Sequence, residues 1–539
     1  MQRKIMLCGL CLCLLLTGSA TLAEAAQKPV VQEIIFVPHD SRPISNKQTT
    51  DVVKKLGYEV VVPPDELLGK RNDLGHPDEL WQWVDQEMKR AKKNKDDVKA
   101  VVFSSDAMLY GSLVGSRKHD YTKQQVLQRA ERFAEFRKQH PKTRVYAFGS
   151  IMRTPKNGEA AGPEEPAYYQ SYGGAIFRYT ALTDKQETEQ LTKRETKERQ
   201  FLQKLVPQDV MNDWMNRRHK NFLANQYLID LTRRGVFDYL TLGRDDNAPY
   251  SQTHVESRKL AKQGEDLGVS KFQAMAGIDE IGLLMLTRAV NDFTGNVPFV
   301  NVRYNWGAGP RIIPSYSDES IDSSIRAHVT AAGGIVVSQP EKADFVLMVN
   351  TNPNGKTYEA NYRNNDGSLR EGTKFFADLV QDYLKAGYPV GIGDVAFANG
   401  ADNALLEELR KRNLLFKIKV YSGWNTATNS TGFAIGEGIL TTKMTKEACD
   451  ALLLQRYLDD WAYQANVRQV IARQLGWFRG NGIYTALNER KLAAEQRASS
   501  LLQRFAADNL PPVADWQQLR VVFPWNRMFE ADVQLQAAQ

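Results

Sequence analysis

The sequence predicts an α/β protein: parallel strands with covering helices in an N-terminal part that is barrel-like or doubly wound, a second α/β lobe, and a helical C-terminal cap. Three observations lead there. From Val31 onward, β-prone apolar runs alternate with helix-period stretches long enough for crossovers. Those runs end abruptly in charged clusters, as buried strands do on reaching the sheet edge where α/β proteins keep their sites. Beyond Thr445 the alternation stops and the pattern is mostly helical.

Taken in order, residues 1–25 have a basic start (Arg3, Lys4), an apolar stretch and a small-residue end, the pattern of a secretory signal peptide cut after Ala25. An α/β catalytic region is expected over 26–309, with strands at 34–37, 59–62, 100–104, 144–148, 239–242, 272–276 and 299–302. Helices at 79–91, 123–138 and 279–291 supply the crossovers. A charged helical insertion around 184–234 separates two strands by far more than a normal connection and reads as a lid or small subdomain. A second α/β region over 310–444 has strands at 335–338, 345–349, 390–393 and 418–421 and helices at 320–332, 373–386 and 403–412. Residues 445–539 form the cap, and no internal repeat is visible. One barrel plus a lobe and two open sheets both fit this series.

Composition narrows the function classes. At 539 residues the chain exceeds one core, and 42% hydrophobic content is globular. The net charge of +7 is mild for this length, and Arg3 and Lys4 against Glu24 in the leader account for one unit of it. The densest charge run, 184–199, mixes signs at helical spacing and forms a solvated face, so no nucleic-acid partner is expected. Cys8, Cys11 and Cys13 lie in the leader and only Cys449 remains, which rules out an intramolecular disulfide and any cysteine metal cluster. After the leader no apolar stretch reaches the roughly 20 residues of a membrane span. The mature protein is therefore expected to be exported, either secreted or held in the cell envelope. No Gly-x-Ser-x-Gly elbow or phosphate loop occurs, so neither serine chemistry nor a nucleotide cofactor is expected, and the cofactor expectation is none.

Strand ends carry the chemistry. Gly243-Arg244-Asp245-Asp246-Asn247 closes the strand at 239–242, and adjacent carboxylates repel, raising one pKa so that a protonated acid sits beside an ionised partner. Arg244 and Asn247 flank that pair as substrate contacts. The competing expectation is that Asp245 caps the following helix while Asp246 pairs with Arg244 or Arg258. Asp279 and Glu280 offer a second acid pair, or the first-turn acids of the helix behind them. His39, Asp40 and Arg42 leave the first strand together, with Asp40 fixing Arg42 as a substrate clamp. A metal reading would join His39 and Asp40 to Asp106 and His254, without any recognised ligand spacing. Asn305-Trp306 and Trp424-Asn425 pair an indole with an amide, which suits a sugar, and Asp394 closes a later strand.

The motifs Pro38-His39-Asp40-Ser41-Arg42-Pro43, Ser105 to Gly111, Gly243 to Ala248, Gly277-Ile278-Asp279-Glu280 and Gly423-Trp424-Asn425-Thr426 together resemble an uncharacterised bacterial family catalogued as domain of unknown function 4127. The resemblance spans nearly the whole mature chain and implies one shared architecture. It carries no agreed activity. In its acidic dipeptide alone the chain is similar to enzymes that hydrolyse N-acetylhexosaminides with substrate assistance, where one acid orients the acetamido group and its neighbour protonates the leaving oxygen. By that similarity Asp245 orients and Asp246 is the acid/base. The leading expectation is an exported glycoside hydrolase acting on a small-molecule or glycan substrate that contains amino sugars. The alternatives are a metal-dependent hydrolase and a non-enzymatic glycan- or solute-binding protein.

Overall fold

The structure, a computed structural model, describes residues 31–156, 158, 162–476 and 482–535. The expected leader lies outside the described residues. Strands are numbered in chain order. β1 (Gln32–Val37), β2 (Glu59–Val61), β3 (Asp97–Ser104), β4 (Arg144–Ile151), β5 (Tyr239–Arg244) and β6 (Phe272–Ala276) form a parallel sheet in the order β2-β1-β3-β4-β5-β6. β7 (Phe299–Tyr304), β8 (Ile335–Val337) and β9 (Phe345–Asn350) join β11 (Val390–Asp394) and β13 (Val420–Ser422) in a second parallel sheet, ordered β13-β11-β9-β7-β8. β10 (Tyr358–Glu359) pairs with β12 (Phe397–Ala398), and β14 (Leu519–Val522) with β15 (Asp532–Leu535) makes an antiparallel hairpin in the cap.

Two open sheets are therefore present, and neither closes into a barrel. β7 was grouped by sequence with the first region but belongs to the second sheet. Its hydrogen-bond partners, β8 and β9, lie later in the chain, and periodicity cannot choose partners. Each sheet also starts at an inner strand, adds one neighbour outward, then reverses and grows the other way, so the two lobes share one winding despite lacking a repeated sequence. In such sheets ligands bind beyond the carboxyl ends of the strands, where the order reverses. In the first lobe that point lies between β1 and β3.

Burial follows the alternation of the strands. Ile34, Phe36 and Val102 point into one core, and Ile35, Val37, Val101 and Phe103 into another, as expected for strands covered on both faces. The first of these cores also takes in Phe345, Leu347 and Val349 of the second sheet, with helices Ile281–Thr294, Ile321–Ala331 and Ala427–Thr441 between. One apolar core thus runs through both lobes.

Helix Ala427–Thr441 was not expected, because Gly432, Gly436 and Gly438 disfavour a helix by propensity. Tertiary contact overrides propensity here. A Cβ on Gly432 would fall 2.3 Å from Glu280 Cγ, on Gly436 2.8 Å from Leu283 Cγ, and on Gly438 2.2 Å from the Phe345 ring. Gly438→Ala should therefore destabilise the fold although alanine is the better helix former. Overpacking costs about 1–3 kcal/mol and the propensity gain is only about 1 kcal/mol. Urea unfolding checks this, and a raised midpoint would contradict it.

The insertion forms helices Tyr169–Thr188, Lys193–Leu205 and Gln208–Arg233 with a small core of Met152, Tyr169, Ile176, Val206 and Trp214. In the cap, Tyr457–Val467 is π-helical, a winding common near functional sites. It tethers both lobes: Gln48 Nε2 donates to Asp459 at 2.8 Å, and the Gly423 amide donates to Asp460 at 2.8 Å. No helix among the described residues is long and apolar enough to cross a membrane.

Candidate functional site

The strand ends of the first lobe, the second lobe and the cap enclose a cavity of about 1170 Å³. β1 delivers Asp40 and Arg42, β4 Arg153, β5 Asp245, Asp246 and Asn247, and β6 Asp279. The second lobe adds Tyr316, Glu359, Asn399 and Asn425. The insertion contributes Gln170 and Phe177, and the cap contributes Arg468, Tyr484, Trp525, Arg527 and Phe529.

At the reversal point Arg42 is held between two carboxylates. Its Nε donates to Asp40 Oδ2 at 2.9 Å, while NH2 and NH1 donate to Asp279 Oδ1 at 2.7 Å and Oδ2 at 3.2 Å. Asn425 Nδ2 donates to the same Asp279 Oδ2 at 2.8 Å, which links the lobes. His39 Nε2 lies 3.2 Å from Asp279 Oδ1 and 2.9 Å from Ser45 Oγ. Burial would lower the His39 pKa, but Asp40 and the bond to Asp279 outweigh it and leave it raised. Burial would raise Asp279, but Arg42 and His39 hold it well below the usual carboxylate range. Asp279 is thus a fixed anion with both oxygens occupied.

The β5 pair is differently placed. Arg117 NH2 donates to Asp245 Oδ2 at 2.6 Å, and Arg153 NH1 donates to Asp246 Oδ2 at 2.7 Å. Neither acid caps the following helix, whose N-cap is Ser251. Asp246 adopts a φ of +36°, a left-handed conformation that Asp tolerates better than most residues. Its other oxygen, Oδ1, has no hydrogen bond among the described residues, and the side chain keeps 27% exposure toward the cavity. Burial, and then the neighbouring Asp245 charge, push the Asp246 carboxyl up to about 7. Beside it, Asn247 Nδ2 is buried without a partner, a donor left unused by the fold.

Other expected residues lie outside the cavity. Glu280 is fully buried, 3.0 Å from His328 Nε2, away from the cavity lining, and makes no side-chain cap for the helix that follows. Arg244 is engaged by Asp318 at 2.9 Å and Ser257 at 3.0 Å and ties β5 to the second lobe. His254 bonds Asp184 at 2.8 Å, and Arg258 bonds the same carboxylate. Asp106 accepts from the Ser150 amide and hydroxyl at 2.8 and 2.9 Å, and burial raises it to about 6 against those bonds. His39, Asp40, Asp106 and His254 thus do not assemble. Arg42 fills the space beside the first two, and no metal-holding group of three His, Cys, Asp or Glu occurs among the described residues.

At the second lobe's reversal point the strand ends are occupied by one another. Asn305 donates to Asn350 at 3.1 Å, Asn350 donates to Asp394 at 2.9 Å, and Tyr421 donates to Asp394 at 2.7 Å. Asp394 is closed off from solvent. Trp306 is 62% exposed beside Phe375, and Trp424 is a buried contact of Phe529.

Of the arginines lining the site, sequence reasoning found Arg42 and missed Arg117, Arg153, Arg468 and Arg527. Arg153 bonds Glu165 at 2.7 Å and Glu164 at 3.0 Å, and Arg527 bonds Glu530 at 2.7 Å and Glu164 at 2.5 Å. Arg153 does follow a strand, as Arg42 does, and that was the usable signal. Arg527, Trp525 and Phe529 come from the cap loop between β14 and β15, where no local pattern marks them.

A family model described as a protein of unknown function (DUF4127) matches residues 34–534. No curated protein matches the chain.

Proposed function

The chain belongs to the family of proteins of unknown function DUF4127, and on the architecture that comes with it we propose an exported hydrolase that cleaves glycosidic bonds in amino-sugar-containing glycans. The supporting observation is the Asp245–Asp246 pair at the end of β5, opening on a large cavity, with one carboxyl kept protonated near neutrality. A proton donor needs a pKa near the working pH and an unoccupied oxygen facing substrate, and Asp246 has both. Asp245, held by Arg117, orients the acetamido group, whose carbonyl oxygen attacks the anomeric carbon as Asp246 protonates the leaving oxygen. Water then opens the intermediate. Tyr484, Trp525 and Phe529 offer apolar faces to sugar rings. Asp279, with its oxygens filled, serves by positioning Arg42.

A binding protein closing two lobes on a solute is the second reading, favoured by the repeated winding. The core running through both lobes opposes the hinge motion it requires. The test is a panel of chromogenic glycosides, N-acetylhexosaminides included, with mature protein whose N-terminus reads Ala26. Turnover of at least one substrate is expected. Inertness across the panel would sink the hydrolase, and tight binding without turnover would establish the second reading.

A further inference from the structure

Four of the five arginines lining the cavity are matched by carboxylates: Arg42, Arg117, Arg153 and Arg527 each lie within 2.5 to 2.8 Å of an acid. Arg468 is the exception. It is 1% exposed, forms no ion pair among the described residues, and spends NH1 and NH2 on the carbonyl oxygens of Phe529 at 3.1 Å and Asn399 at 2.8 Å. Its Nε has no partner. A buried guanidinium on which the acids Glu359 and Asp459 act only from beyond ion-pair distance is costly, and one kept on a cavity wall is placed to meet an anion. Its surroundings are those of a sugar site. Arg468 lies over the Phe529 ring at 5.7 Å, and Phe529 packs against Tyr484 with ring centres 4.7 Å apart.

We propose that Arg468 is a substrate-binding residue that recognises the carboxylate of an acidic sugar bound in the inter-lobe cavity. This rests on the glycan reading of the same cavity and narrows it to rings that carry an acid group. The charge count selects a monoanion. The cavity lining carries six cations, the five arginines and Lys156, against six acids, Asp40, Glu164, Asp245, Asp246, Asp279 and Glu359; with Asp246 protonated the excess is a single positive charge, which a monoanionic carboxylate matches and a dianionic phosphate exceeds. The planar fork of Arg468 matches a carboxylate, and Asn399, at φ +63° with its amide bonded to Asn425 O at 2.6 Å, fixes one carbonyl that holds the fork.

The experiment is calorimetric titration of the full mature chain with methyl β-D-glucuronide and with methyl β-D-glucoside, two sugars that differ at the acid group. The glucuronide is expected to bind about tenfold more tightly or better, as a charged hydrogen bond allows. Folded Arg468→Gln should lose that preference. Should this variant fail to fold by near-UV circular dichroism, Arg468→Lys, which retains the charge without the fork, should bind the glucuronide markedly more weakly while leaving glucoside affinity alone. Equal binding of the two sugars by wild type overturns the proposal, as does a preference that survives in folded Arg468→Gln or stays at its wild-type size in Arg468→Lys. Displacement of glucuronide by inorganic phosphate at equal concentration overturns the carboxylate assignment. Glycoside turnover without acid preference defeats this inference alone, whereas Arg468-dependent acid preference without turnover defeats only the hydrolase.

Discussion

Asp246→Asn should reduce turnover by a factor of about 10² to 10⁴, the usual worth of a positioned acid, with KM little changed. The amide keeps the shape and a contact to Arg153 but has no proton to give. Wild-type activity should fall as pH rises past about 7, because the carboxyl that donates is then ionised. Stability should move with the same group. The folded-state pKa lies above the unfolded value, so the native state binds more protons between roughly pH 4 and pH 7, and stability declines as pH rises through that window. Asp246→Asn lacks this decline, so its urea midpoint should exceed that of wild type at pH 8 and match it at pH 4. A variant that retains full turnover would remove Asp246 from the mechanism.

Arg42→Met should produce the largest stability loss, roughly 3–5 kcal/mol, because it leaves Asp40 and Asp279 buried without their cation. The apolar stem of methionine fills much of the space, so lost charge and not lost volume is tested. In wild type the depressed Asp279 contributes stability that is present above the ordinary carboxylate range and fades as pH falls through its folded value. In the variant the stranded carboxylates favour protonation, so low pH relieves them. The gap between the two unfolding midpoints should therefore narrow on acidification. A deficit that is small, or equal at pH 7 and pH 4, would contradict the arrangement around Arg42.

Much of the first lobe was legible because its signals are local. The runs ending in Val37, Ser104 and Arg244 are apolar on both faces, and their abrupt charged ends marked where side chains would gather. Asp40, Arg42, Asp245, Asp246, Asn247, Asp279 and Asn425 all line the one cavity. Glu280 shows the limit of the same logic. It is a neighbour of Asp279 in sequence, yet the turn after Gly277 sends it to the opposite side, against His328. Asp394 and Asn305 end strands just as Asp245 does, but both are tied to Asn350, and Asp394 also to Tyr421. Helix Ala427–Thr441 was hidden because its glycines answer to neighbours distant in sequence.

The sequence by itself determined the α/β class, the covering helices and which strand ends would carry acids, since apolar period and chain reversal are set by neighbouring residues. Only the tertiary structure decided that β7 opens a second sheet, that Arg117 and Arg153 meet those acids while Arg468 and Arg527 join them in one cavity, and that a cap loop closes over them. The physical reason is that periodicity encodes which face of an element is buried. The charge balance of a cavity depends on side chains hundreds of residues apart, and only packing brings them within reach.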